Sequence, residues 1–198
     1  MGESTQEECF INACTSIAER GLSWGSSGNF SMLLDDGSFL VTASGSQFAT
    51  MKAEQIARCS VAGEEILSGA KPSVESKLHR AVYQVREDIK YIVHVHPFYS
   101  VLMTSAENVN IDLDIIPEAE HYLGRIAFAP YQKAGSQELA NVVRQAAKEH
   151  DFIVMRNHGV VACGKDFEQI VCALEAFEFV AKLNYHAHAA GLLLKKLS

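Results

Sequence analysis

Tyr91-Ile-Val-His-Val-His-Pro97 is a short apolar strand with two histidines in alternate positions. Side chains alternate across a strand, so His94 and His96 point to the same face. Tyr91, Ile92, Val93 and Val95 give the stretch the β-branched and aromatic character of a buried strand. Pro97 ends it, because proline cannot donate to the ladder. Two imidazoles roughly 7 Å apart along one face can close on a single ion, since Zn²⁺ takes ligand nitrogens at about 2.0–2.1 Å. Taken alone, the pair is equally compatible with two partly buried histidines bonded to backbone.

On the N-terminal side, Ser4-x-x-Glu7 has the form of a capping box. Phe10, Ile11, Cys14, Ile17 and Ala18 follow at helical spacing, and the helix is expected to end at Gly21. Phe30–Leu34 and Phe39–Thr42 read as a β-hairpin around Asp35-Asp-Gly37. The glycine-serine loops 21–27 and 43–46 flank it. Ala53–Ala57 reads as a short helix and Arg58–Val61 as a short strand. Pro72-Ser-Val-Glu75 then opens a helix with proline and an acidic residue in its first turn. Leu78, Val82, Val85 and Ile89 form its core face, with Glu75, His79 and Tyr83 on a neighbouring stripe.

Beyond the His-x-His strand, residues 98–105 read as helix, 107–120 as an irregular acidic stretch and Ile126–Ala129 as a strand. Ser136 caps a helix over 137–149. Phe152–Met155 and Gly159–Cys163 are two strands joined by Arg156-Asn-His158, and a long helix runs from about Phe167 to His188. Antiparallel hairpins interleaved with helices predict an α/β/α architecture. It is a single domain over residues 1–198 with a central, mainly antiparallel sheet flanked by helices.

The chain has 198 residues, 48% hydrophobic and 21% charged, as in an ordinary globular protein with one well-buried core. A net charge of −7 argues against nucleic acid or a basic membrane surface as partner. It leaves phosphorylated substrates open, because backbone amides and hydroxyls hold anions without net positive charge. No apolar run has the length of a transmembrane helix and no signal-peptide pattern opens the chain. Cys9, Cys14, Cys59, Cys163 and Cys172 are odd in number and lack C-x-x-C spacing. That pattern predicts buried free thiols and a cytoplasmic location.

His158 sits in a tight turn between two apolar strands, with Gly159 giving the backbone room, and is the candidate third metal ligand. Three histidines with an open fourth position make a catalytic zinc geometry. His79, His150, His186 and His188 read as surface or structural.

Gly25-Ser-Ser-Gly-Asn-Phe-Ser31, Thr42-Ala-Ser-Gly45, Pro72-Ser-Val-Glu75, His94-Val-His96 and Asn157-His-Gly159 occur in the order and spacing of the class II aldolase/adducin family. The chain resembles that family from its first helix to its last. The resemblance implies one Zn²⁺ per chain on His94, His96 and His158, with Glu75 as the acid/base facing it. It implies a phosphate cradle of Ser26, Ser27, Gly28, Asn29, Ser44, Gly45 and Ser73. It also implies a homotetramer with active sites between subunits. His121-Tyr122 is similar to an aldolase segment whose tyrosine crosses a subunit interface as proton donor, so Tyr122 joins the catalytic candidates. Glu118 and Glu120 lie where the family's dehydratases carry a catalytic glutamate.

The implied function is a zinc-dependent aldolase. It would cleave a fuculose-1-phosphate-like ketose 1-phosphate to dihydroxyacetone phosphate and an aldehyde through a metal-stabilised enediolate. Val74 departs from the second serine of such aldolases. The alternatives are a methylthioribulose-1-phosphate dehydratase, a sugar-acid-phosphate decarboxylase or a non-enzymatic adducin-like assembly module. A 4-epimerase fits less well, because that branch resembles Ser-Ser-Asp where this chain has Glu75.

Overall fold

A computed structural model describes residues 5–107 and 110–197. Helix α1 is Gln6–Glu19, and strands β1 and β2 are Asn29–Leu33 and Ser38–Thr42. Strands β3 and β4 are Ile56–Ser60 and Ile66–Gly69, followed by α2, Ser76–Tyr83. Strand β5 is Tyr91–Val95, and helices α3 and α4 are Phe98–Ser105 and Pro117–Leu123. The chain continues through β6 Ile126–Ala129, α5 Gln137–Ala147, β7 Phe152–Met155, β8 Gly159–Gly164 and α6 Phe167–Ala190.

The eight strands form one sheet in the order β4-β3-β2-β1-β5-β8-β7-β6. Every neighbouring pair is antiparallel except β6 with β7. The expected mainly antiparallel sheet is therefore present, with helices on both faces.

Strand alternation sorts the core into two clusters. Val93 and Val95 of β5 join Phe10, Phe30, Phe152 and Phe177 on the face covered by α1 and α6. Ile92 joins Leu78, Val82, Leu139 and Val143 on the face covered by α2 and α5. His94 follows Ile92 at the alternation of two, which brings it to the α2 face. Phe177 is fully buried, its ring centroid 5.1 Å from that of Phe152. Phe177→Ala should cost about 3–5 kcal/mol, read as a lower urea midpoint at an unchanged slope. A loss below about 1 kcal/mol would contradict the seating of α6 on the sheet.

Several boundaries differ from the sequence reading. The capping box is Thr5–Glu8, where the Thr5 hydroxyl accepts the Glu8 N–H and the Glu8 carboxylate accepts the Thr5 N–H; Ser4 lies outside the described residues. Pro72–Glu75 does not open α2. Pro72 bridges to Ala43, Ser44 N–H donates to Lys71 O and Ser73 N–H donates to Thr42 O. That pairing keeps the segment extended, and Glu75 stands at the N-cap position of α2. Val85 and Ile89 lie beyond the helix, though Ile89 remains buried. The expected helix and strand after residue 53 are a single 3₁₀ turn, Ala53–Gln55, and a strand that starts at Ile56. Residues 107–120 are not irregular throughout, because α4 begins at Pro117. All five cysteines are free, but Cys9 is exposed. Among the described residues, no helix is long and apolar enough to cross a membrane.

Candidate metal centre

Five chain segments meet at one end of the sheet. Asn29 opens β1 opposite His94 of β5, and Thr42 closes β2, its hydroxyl accepting the Phe30 N–H. The β7–β8 turn carries His158, and Glu75 stands at the N-cap of α2. Asn157 takes the positive φ of that turn, 55°. Gly159 is required for a different reason from the one expected: a Cβ there would lie 2.4 Å from the His96 ring and 2.5 Å from Val95 O. Gly28 is similarly constrained, with φ 85° and the site of a Cβ 2.6 Å from His94 O. These two glycines let the loops close onto the histidine strand.

Glu75, His94, His96 and His158 each offer a ligand atom, and the four atoms lie within 4.8 Å of one another. Glu75 Oε2 is 3.1 Å from His94 Nε2, and Oε1 is 3.3 Å from His158 Nε2. His96 Nε2 and His94 Nε2 are 2.9 Å apart. His94 Nδ1 lies 2.9 Å from the Val160 carbonyl, which can only accept, so Nδ1 carries a proton and Nε2 faces the cluster. Glu75 Oε1 and His158 Nδ1 are buried without a hydrogen-bond partner.

Burial and the groups that face one another set the charges at the centre. Burial alone would raise the Glu75 pKa, but His94, His158 and the Asn29 amide outweigh it and hold the carboxylate well below its usual range. Burial would lower the His94 pKa, yet Glu75 and the Val160 carbonyl raise it. His96 is pulled down to about 3 by burial and the facing histidines, and His158 to about 4 by burial and His94. The latter two are therefore neutral lone-pair donors near pH 7. Neutral imidazoles converging with a carboxylate, two of the buried polar atoms being orphaned, fit a divalent cation.

The model of the class II aldolase and adducin N-terminal domain family matches residues 8–185. The chain belongs to this family. Its relatives include the L-fuculose phosphate aldolase of Methanocaldococcus jannaschii, 34% identical over 94% of this chain and 97% of that protein. They also include the 3-oxo-tetronate 4-phosphate decarboxylase of Pectobacterium atrosepticum, 33% identical over 86% of this chain and 79% of that protein. The crystal structure of Klebsiella pneumoniae YgbL superposes with a TM-score of 0.88 at 27% identity, covering 100% of this chain and 96% of that one. The class II aldolase fold thus holds across the chain, whereas the relatives carry out two different carbon–carbon cleavages.

The side chains of the two glycine-serine loops and of Ser73 differ in how far they are already committed. Ser26 and Ser44 are exposed at the loop tips, and Gly45 has φ 79°. The Ser27 hydroxyl accepts the Trp24 N–H, and the Ser73 hydroxyl accepts the Glu75 N–H. Asn29 is buried, its amide donating to Glu75 Oε2 at 3.0 Å. Val74 is exposed beside Gly135, where a Cβ would touch its side chain.

Tyr122 is not brought to the Glu75–histidine cluster of its own chain. It lines a cavity with Arg86, Asp151, Phe152 and Gly164, at the start of β7 and the end of β8, whereas the cluster lies at the opposite ends of those strands. Glu118 and Glu120 stand exposed on the same helix, α4.

Two features were missed in the sequence. His79, expected to be surface or structural, is fully buried and touches Asn29 and Ser31. Its place four residues after Glu75 on one helix stripe was the available signal. Trp24 donates from Nε1 to His96 O at 3.2 Å and, with Phe98, Val101 and Leu102, lines an apolar cleft of about 450 Å³ against His96 and His158. A lone tryptophan in a glycine-serine loop carried no signal of that.

Proposed function

We propose that the chain is a metal-dependent carbon–carbon lyase acting on phosphorylated sugars, cleaving a ketose 1-phosphate to dihydroxyacetone phosphate and an aldehyde. The observation that carries this reading is the convergence of Glu75 with three histidines beside the serine-rich loops. His94, His96 and His158 would hold one Zn²⁺, which when bound would supply the positive charge that polarises a carbonyl and stabilises an enediolate. Ser26, Ser44 and the backbone of the glycine loops would hold the phosphate. The apolar cleft beside Trp24 and Phe98 gives the departing aldehyde a place outside water. In the cleavage direction, the proton of the C4 hydroxyl passes to solvent by way of Tyr122 of a second copy, the C3–C4 bond breaks, and its electron pair stays on the three-carbon fragment. Glu75, having taken up a proton from solvent, delivers it to C3.

Decarboxylation of a 3-oxo sugar-acid phosphate is the second reading. It is favoured by relatives of that name and by a specific feature of the site. Among the described residues, Glu75 is the lone carboxylic acid in the cluster. Loss of CO₂ needs one proton, delivered to the carbon left behind, whereas aldol cleavage must also handle the departing hydroxyl's proton. Tyr122 could serve that hydroxyl only from a second copy, so the aldolase reading carries with it a homotetramer with shared sites. The compartment proposed for this chemistry is the cytoplasm.

Product analysis separates the readings. Zinc-loaded protein given L-fuculose 1-phosphate should release dihydroxyacetone phosphate and an aldehyde. Release of CO₂ from a 3-oxo-tetronate 4-phosphate, with no turnover of the ketose, would replace aldol cleavage by decarboxylation. Inertness toward both would remove these two readings.

A further inference from the structure

Behind Glu75 runs a line of buried polar side chains that the proposed reaction does not use. Asn29, Ser31, His79 and Tyr83 are each at most 4% exposed. Asn29 and Ser31 alternate on β1, so both face α2, while His79 and Tyr83 stand one turn apart on α2 itself. The contacts run Glu75 Oε2 to Asn29 Nδ2, 3.0 Å; Asn29 Oδ1 to His79 Nε2, 2.5 Å; His79 Nδ1 to Ser31 Oγ, 2.6 Å; Ser31 Oγ to the Tyr83 hydroxyl, 2.8 Å.

Fixing the proton at one end of this line fixes all of them. A carboxylate only accepts, so the Asn29 amide donates to Glu75 and turns its carbonyl oxygen to His79. That oxygen must receive the Nε2–H of His79. Burial, reinforced by nearby His94, lowers the His79 pKa to about 3, so the ring is neutral and Nδ1 is an acceptor. Nδ1 therefore accepts the Ser31 O–H, and Ser31 accepts the Tyr83 O–H. The other neighbour of the Tyr83 hydroxyl, Lys90 O, is farther away at 3.3 Å and already accepts the Leu33 N–H at 2.8 Å. All these hydrogen bonds point toward Glu75, and each donor in the series is polarised by the one behind it.

We propose that the Tyr83–Ser31–His79–Asn29 chain is a positioning device for Glu75, clamping Oε2 so that Oε1 is presented to the metal centre beside His158. His79 is then a positioning residue: it touches neither substrate nor metal and acts through Asn29. The proposal rests on Glu75 being the proton-transfer group of the reaction above. It accounts for a helix that buries a histidine and a tyrosine hydroxyl where apolar residues would pack without polar cost. Outer-shell partners of this kind typically change activity by about 10–100-fold when removed.

The first test does not involve turnover. Nitrogen-15 spectra of histidine-labelled, zinc-loaded protein should show His79 as a neutral Nε2–H tautomer between pH 6 and 8, the resonance assigned by its absence in His79→Gln. An Nδ1–H tautomer would reverse the direction of the chain and a protonated ring would break it at Ser31, and either overturns the proposal. The second test compares His79→Phe with His79→Gln, because the glutamine amide can donate to Asn29 and accept from Ser31 whereas the phenyl ring can do neither. His79→Phe should lower kcat by about 10–100-fold, with KM and bound zinc unchanged. His79→Gln should recover most of that loss. Equal losses in the two variants, or a loss confined to KM, would sink the idea. Where His79→Phe does not fold, Ser31→Ala takes its place with the same expected split, and an unchanged kcat there counts against the chain. Inertness of the unaltered protein toward every sugar phosphate overturns the reaction, not this device, which the tautomer still decides.

Discussion

Glu75→Gln should keep the metal and reduce turnover by about 10²–10⁴-fold, the usual worth of a positioned general acid or base. The substitution preserves volume, and the site can receive it. The Asn29 amide that donates to Oε2 at 3.0 Å can donate equally well to a glutamine carbonyl oxygen. The glutamine NH₂ then occupies the Oε1 position, 3.3 Å from His158 Nε2, where the carboxylate makes no hydrogen bond. What disappears is the capacity to take up and return a proton near neutral pH. Substrate affinity should change little, because in the proposed reaction the serine loops, not Glu75, would hold the phosphate. Metal analysis and steady-state kinetics on one preparation decide the matter. Zinc lost with activity would make Glu75 a required ligand, and near-normal turnover would move the acid/base elsewhere, with Tyr122 of a second copy the next candidate.

How much of this was legible in the sequence depends on the range of the interaction. The His-x-His strand declared itself, because alternation and a terminal proline are local properties, and the turn holding His158 is bounded by two apolar strands. Antiparallel pairing of β1 with β2 followed from Asp35-Asp-Gly37. Strand β4 escaped notice because it is an edge: all four of its residues are exposed, so no buried stripe marks it. The start of α2 was misplaced by a contact remote in sequence, the Ala43–Pro72 bridge, which overrides the helix-opening character of a proline followed by an acidic residue.

Asn29 and His79 show the same limit at the site. Flanking glycine and serine residues make Asn29 look like part of an anion cradle, but its amide is committed by a glutamate 46 positions away and a histidine 50 positions away. His79 looked like a structural or surface residue because its partners belong to another element. A sequence shows which residues share a helix stripe. It does not show which strand will lie across from that stripe.

His96→Ala should abolish both metal binding and activity while leaving the fold intact. His96 is only half-buried, and its ring packs on Gly159, so truncation opens space at the mouth of the apolar cleft rather than in either core. His94 and His158 remain, with Glu75, and the outcome depends on what that carboxylate does. If Glu75 stays the acid/base, two imidazoles are too few for tight zinc binding, which in catalytic sites takes three protein ligands. Thermal melts supply a readout free of turnover. A ligand held only by the folded state stabilises it by about 4 kcal/mol at a concentration ~1,000 times its Kd. Added zinc should therefore raise the melting temperature of the unaltered protein and of Glu75→Gln, but not that of His96→Ala. The metal-free melting temperature of His96→Ala should be close to that of the unaltered protein, since His96 lies outside both packed cores. A His96→Ala protein that binds zinc as tightly as the parent would mean that His94, His158 and Glu75 form the ligand set, and would strip Glu75 of its proton-transfer role.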